Sequence, residues 1–96
     1  MNASHAFPID GELTIYRAAE LCESLKTVLA GLDDGADLEI DLSGVTEMDS
    51  AGVQLLMAVH KSTRASNHGL RLVNPSAAVE EVFETLQLVP HFAGAY

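Results

Sequence analysis

Thr46-Glu47-Met48-Asp49-Ser50-Ala51-Gly52-Val53 is the stretch of this 96-residue sequence best placed to do chemistry. Leu38-Glu39-Ile40-Asp41-Leu42 alternates before it as a strand does, and Leu55, Leu56 and Val59 fall on one helical face after it. Ser50 is therefore expected at a helix entrance, where its oxygen can accept from the unpaired amides of the first turn. The same amides and the helix dipole are hospitable to a phosphate. A serine that takes a phosphate without unfolding its helix is a switch. Serine is also among the commonest helix caps, so a plain capping role accounts for the same residue, and Asp49 competes for that cap. A bare Asp-Ser-x-Gly lacks the glycine count and the lysine of a phosphate-cradling loop.

Other chemistry is poorly supplied. His5, His60, His68 and His91 have no metal-ligand spacing, and the single cysteine cannot complete a zinc site, so no metal is expected. As a nucleophile Ser50 lacks a base. His60 lies ten residues further along the helix, about 15 Å away by helical rise. The reading is of a non-enzymatic protein without a cofactor.

Charge and cysteine usage narrow the partners. Fourteen acidic and five basic residues give a formal net charge of −9. Polyanions are held by neutralising lysines and arginines, so nucleic acid is disfavoured and a basic protein surface is favoured. Lys61, Arg64 and Arg71 fall within eleven positions, as either a small local patch or, more commonly, solvated side chains at a helix end. Cys22 has no partner for an intrachain disulfide, which fits a reducing compartment and a small core residue. No charged-then-apolar leader opens the chain, and Leu55 to Val59 is far too short to span a bilayer. The expectation is a soluble cytoplasmic protein with no membrane insertion.

The elements that must position Ser50 follow from periodicity. Residues 1–6 read as loosely held. Phe7 to Ile9 reads as a short edge strand, and Asp10-Gly11 as a hairpin turn into a second strand, Glu12-Leu13-Thr14-Ile15-Tyr16. Ala18, Leu21, Cys22, Leu25, Val28, Leu29 and Leu32 mark an amphipathic helix. A third strand is expected at about 37–43, then a helix from Ser50 to about Ser66, stopped at Asn67-His68-Gly69. Leu70-Arg71-Leu72-Val73 is a fourth strand. Asn74-Pro75-Ser76 opens a last helix whose inner face is Val79, Val82, Phe83 and Leu86. Residues 88–96 read as a less regular tail.

The predicted fold class is α/β in one domain, residues 1–96 with a core of about 7–89, in the order β-β-α-β-α-β-α. It has a four-stranded mixed sheet. Glu39 and Asp41 interrupt the apolar run, so the helices should pack mainly on one sheet face. If Leu55, Leu56 and Val59 face the sheet, Val53, Met57, His60 and Arg64 form a neighbouring stripe. Val53 and Met57 are then either an exposed apolar patch beside Ser50 or residues covered by another helix.

In order and spacing, Gly11-Glu12-Leu13-Thr14-Ile15, the strand through Gly44-Val45, Met48-Asp49-Ser50-Ala51-Gly52 and Leu70 to Ser76 resemble the STAS domain pattern. The resemblance spans about residues 7–89 and is closest to free-standing anti-sigma factor antagonists. It implies binding to an anti-sigma factor that is also a serine kinase. Ser50 is then the phosphoacceptor, Asp49 its motif partner and Gly52 the close-approach position. Glu47, Val53 and Met57 would complete the partner surface. Ala51 stands where many members carry a second hydroxyl. The runner-up implied by resemblance is a STAS accessory subunit of a phospholipid ABC transporter, docking on the ATPase.

Overall fold

Leu38, Ile40 and Leu42 are fully buried while Glu39 and Asp41 between them are only half-buried, so the alternating strand is the centre of the fold. The computed structural model describes residues 4–92 and 94–96. Its elements are β1 (Ser4–Leu13), α1 (Ile15–Ala30), β2 (Asp37–Met48), α2 (Ser50–Ala65), β3 (Leu70–Val73) and α3 (Ala77–Thr85), then a short 3-10 turn, Val89–Phe92. The sheet order is β1-β2-β3, with β2 parallel to both neighbours.

That order explains where the helices lie. Right-handed crossovers that step across a sheet in one direction leave their helices on the same face. Leu21 and Leu25 of α1, Leu55, Leu56 and Val59 of α2, and Val79 and Phe83 of α3 share one core with Leu38, Ile40, Leu42, Leu70 and Leu72. The other face is polar, with Arg71 and Glu39 paired at 3.3 Å.

The N-terminal hairpin and the four-stranded mixed sheet are corrected. Among the described residues there are three strands, and Asp10-Gly11 does not turn the chain back. Residues 4–6, expected to be loose, belong to β1, and residues 1–3 lie outside the described residues. The register between β1 and β2 slips between Pro8 and Asp10 and again between Gly11 and Glu12. Gly11, at φ +84°, supplies the left-handed backbone such a bulge uses. Arg17 of α1 donates to the carbonyls of Asp10 and Glu12 and so fastens the irregular stretch. A local turn signal is thus absorbed as a bulge because parallel pairing with β2 continues past it. Ile15 and Tyr16 leave the expected strand and open α1.

The remaining boundaries sit close to expectation. Asn67, at φ 59°, is the left-handed stop after α2. Ser76 caps α3 by accepting from the Val79 amide at 3.3 Å. The tail is more ordered than its sequence suggests. Phe92 is fully buried with its ring 5.2 Å from Phe83, and Tyr96 stacks on Phe83 at 4.3 Å. The Ala95 carbonyl accepts from the Leu72 amide at 2.6 Å, which covers part of the free edge of β3.

Candidate functional site

Asp49, not Ser50, is the N-cap of α2. Its backbone is extended (φ −121°, ψ −173°), the conformation of a residue just outside a helix, and its Oδ1 accepts from the Gly52 amide at 3.1 Å. Ser50 is already the first helical residue and is exposed. Its hydroxyl is thereby relieved of capping and faces solvent at the positive end of the helix.

The second Asp49 oxygen has a separate task. Oδ2 accepts from the Ile15 amide at 3.1 Å, at the start of α1. The N-cap of that helix is Thr14, whose own hydroxyl donates to Glu12 Oε1 at 3.0 Å and makes no capping bond. One carboxylate therefore closes two helix N-termini. The Asp49 amide also donates to the Leu13 carbonyl at 3.4 Å, tying the loop to the end of β1.

These bonds favour the ionised form. The Ile15 amide, followed by those of Gly52 and Ala51, holds the Asp49 carboxyl below the usual carboxylate range against a smaller opposing effect of burial. A carboxyl lowered on folding adds stability that is present above its unfolded pKa of about 3.9 and lost as pH falls through the lower folded value. Asp49→Asn should accordingly be less stable at neutral pH and lose less stability below about pH 4. Asp41, lowered chiefly by the Ser43 amide, contributes equally to both proteins. Melting temperature against pH for the two proteins gives the test, and parallel curves would remove the capping role.

Gly52 is required by packing. It is buried, and a Cβ there would collide with the Leu13 carbonyl oxygen and stand 2.9 Å from Leu13 Cγ. The close-approach expectation for this position has its physical cause in the end of β1.

The surface around Ser50 differs from the expected one. Val53 is buried in the core, with 6% of its surface exposed, because its turn of α2 faces inward. Met57 is half-buried about two turns along, against the core and away from Ser50. Neither is an exposed patch beside the serine. Glu47 is exposed next to it. The apolar neighbours come from other elements. Met48, Val82 and Leu86 line a cavity of about 280 Å³ together with Asp49, Ser50, Glu81 and Thr85. Leu86, expected on the inner face of α3, is its C-cap and 53% exposed. Across Asp49, Ile15 and Tyr16 are 64% and 87% exposed. The sequence carries a signal for Tyr16 alone, which is out of step with the stripe that begins at Ala18, whereas Ile15, three residues before Ala18, is in step with it.

Among the described residues no helix is long and apolar enough to cross a membrane, and no three of His, Cys, Asp and Glu gather as a metal site would. What the site offers is an exposed hydroxyl at a helix start, flanked by carboxylates and bordered by apolar side chains. These groups are carried on a three-stranded α/β frame. The family described as "Mlab, STAS domain" matches residues 3–89, and the chain belongs to this STAS family.

An anti-sigma-B factor antagonist of Bacillus subtilis (strain 168) is 33% identical over 76 residues, covering 79% of this chain and 67% of that protein. A sulfate transporter family protein from Wolinella succinogenes superposes with a TM-score of 0.73 at 16% identity, over 93% of this chain and 70% of the other. SLC26A9 does so with a TM-score of 0.58 at 19% identity, over 96% of this chain and 18% of the other. At those identities the two structures show the fold alone.

Proposed function

We propose that this protein is a non-enzymatic, cytoplasmic partner-switching regulator, an anti-sigma factor antagonist controlled by phosphorylation of Ser50. Its partner is an anti-sigma factor with serine-kinase activity. The observation that carries the reading is the division of labour at the α2 start: Asp49 holds the cap and Ser50 is exposed. The likeness to the Bacillus subtilis antagonist supports the same class of partner. A phosphate brings about −1.5 to −2 charges and three acceptor oxygens. At the first residue of a helix the domain tolerates that charge, whereas a partner seated on Leu86 and Tyr16 would meet it beside Glu47 and Asp49.

Capture of native-lysate proteins on wild type, Ser50→Ala and Ser50→Asp tests the reading. A kinase-type ATPase retained by wild type and Ser50→Ala but not by Ser50→Asp supports it. Transporter subunits retained by all three would replace it with the accessory role in a phospholipid ABC transporter. The surface has its own test. Tyr16→Ala and Leu86→Ala should each weaken binding of the captured partner by about tenfold, since exposed aromatic and aliphatic anchors carry interface energy. Both side chains are solvent-facing, so melting temperatures should stay near wild type, and unchanged affinity would move the interface elsewhere.

A further inference from the structure

Among the described residues, two cations of this acidic chain have no carboxylate within ion-pair distance. Arg17, Lys26 and Arg71 pair with Glu20, Glu23 and Glu39 at 3.1, 3.5 and 3.3 Å. Among the described residues, Lys61 and Arg64 form no such pair. Both are exposed, and together with Met57, His60 and His91 they line a cavity of about 260 Å³. Among the described residues no acidic side chain lines it, although acidic residues outnumber lysine and arginine by 14 to 5 in the sequence.

The helix dipole explains part of this arrangement, since cations suit the carbonyl end of α2. It does not explain His91, which comes from the separate turn Val89–Phe92. That turn is held down by the fully buried Phe92, whose ring stacks on His60 at 5.5 Å. Two elements thus bring nitrogen donors to one concavity, with half-buried Met57 as an apolar part of its lining. The adjoining cavity shares His60 and Arg64, and its single carboxylate, Asp37, already accepts from the Gly69 amide at 3.1 Å.

We propose that the Lys61–Arg64–His91 cavity binds a phosphate group, either free phosphate or the headgroup of an anionic lipid. Its volume is below the ~300–1,000 Å³ of drug-sized pockets, which suits a headgroup better than a whole nucleotide. Lysine and arginine supply charge-assisted donors to phosphate oxygens, and the imidazoles add N–H donors. The cavity lies about 15 Å along α2 from Ser50 by helical rise and does not depend on that residue.

The test titrates the whole protein with inorganic phosphate, following backbone amide resonances against chloride at matched ionic strength. Vesicles of phosphatidylcholine with and without phosphatidic acid form the second arm, read by co-sedimentation. Saturable shifts at residues 60, 61, 64 and 91 are expected, with affinity falling at least about tenfold in Lys61→Gln/Arg64→Gln. His91→Ala, on the other element, should weaken the same binding, while Ser50→Asp leaves it unchanged. Phosphate binding without phosphatidic acid binding identifies a soluble anion. Phosphatidic acid binding that the double variant loses identifies a lipid headgroup. Absence of saturable binding with both probes, or binding that the double variant retains, overturns the proposal.

Discussion

Ser50→Asp is expected to weaken binding to the partner by on the order of 100-fold, about 2.7 kcal/mol, while thermal stability stays close to wild type. Both halves follow from the α2 start. Inside the isolated domain, a carboxylate on the first helical residue meets the dipole favourably by roughly 0.3–1 kcal/mol, which offsets repulsion from Asp49 and Glu47. Under a docked partner the same carboxylate loses water without gaining a counter-charge, and like charges set against each other cost several kcal/mol. Ser50→Ala removes a solvent-facing hydroxyl and should bind as wild type does. Calorimetry with the purified partner separates the cases. Equal affinities for the serine, alanine and aspartate proteins would show that position 50 lies outside the interface.

Gly52→Ala should destabilise the domain by about 1–3 kcal/mol, the usual range for overpacking a filled site. Two effects of opposite sign compete there. Replacing a helical glycine by alanine contributes up to about 1 kcal/mol of helix propensity. The new methyl, however, runs into the backbone carbonyl of Leu13, a fully buried residue at the end of β1 that also accepts from the Asp49 amide. A flexible side chain could step aside, but a carbonyl anchored in the sheet cannot do so without moving the loop. Collision therefore outweighs propensity. For a domain of this size, each 1 kcal/mol lowers the melting temperature by about 4–8 °C. A melting temperature at or above wild type would mean that β1 and α2 separate easily, and the rigid account of the site would fail.

Much of the frame was legible because its elements carry unmixed periodicity. Leu38-Glu39-Ile40-Asp41-Leu42 reads as a one-sided strand and is one, and Leu55, Leu56 and Val59 bury as their spacing indicates. The N-terminal segment departs from its local signals where a long-range one overrides them. Asp10-Gly11 is a turn by its residues, yet nothing local reveals that β2 pairs in parallel across it. Thr14-Ile15-Tyr16 has the composition of a strand, but Thr14 stands at a helix entrance whose cap arrives from Asp49, 35 residues away in sequence. The candidate site was partly legible for the same reason. Asp49, Ser50 and Gly52 belong to one loop and could be found together. Leu86 shares a cavity with Ser50, and the Ile15 amide meets Asp49, only through tertiary packing, which the helical stripe through Val53 and Met57 does not reveal.

The double duty of Asp49 has a consequence for how such a protein can change. Neighbouring residues have unlike jobs: Asp49 maintains the architecture at two places at once, and exposed Ser50 is free of that duty. Position 50 can consequently be rewritten to another side chain without the scaffold registering it. Position 49 has no such liberty, because any replacement must satisfy a local amide, Gly52, and a distant one, Ile15, together. A lineage built on this frame can thus vary the side chain displayed at the start of α2 while keeping the fold that displays it.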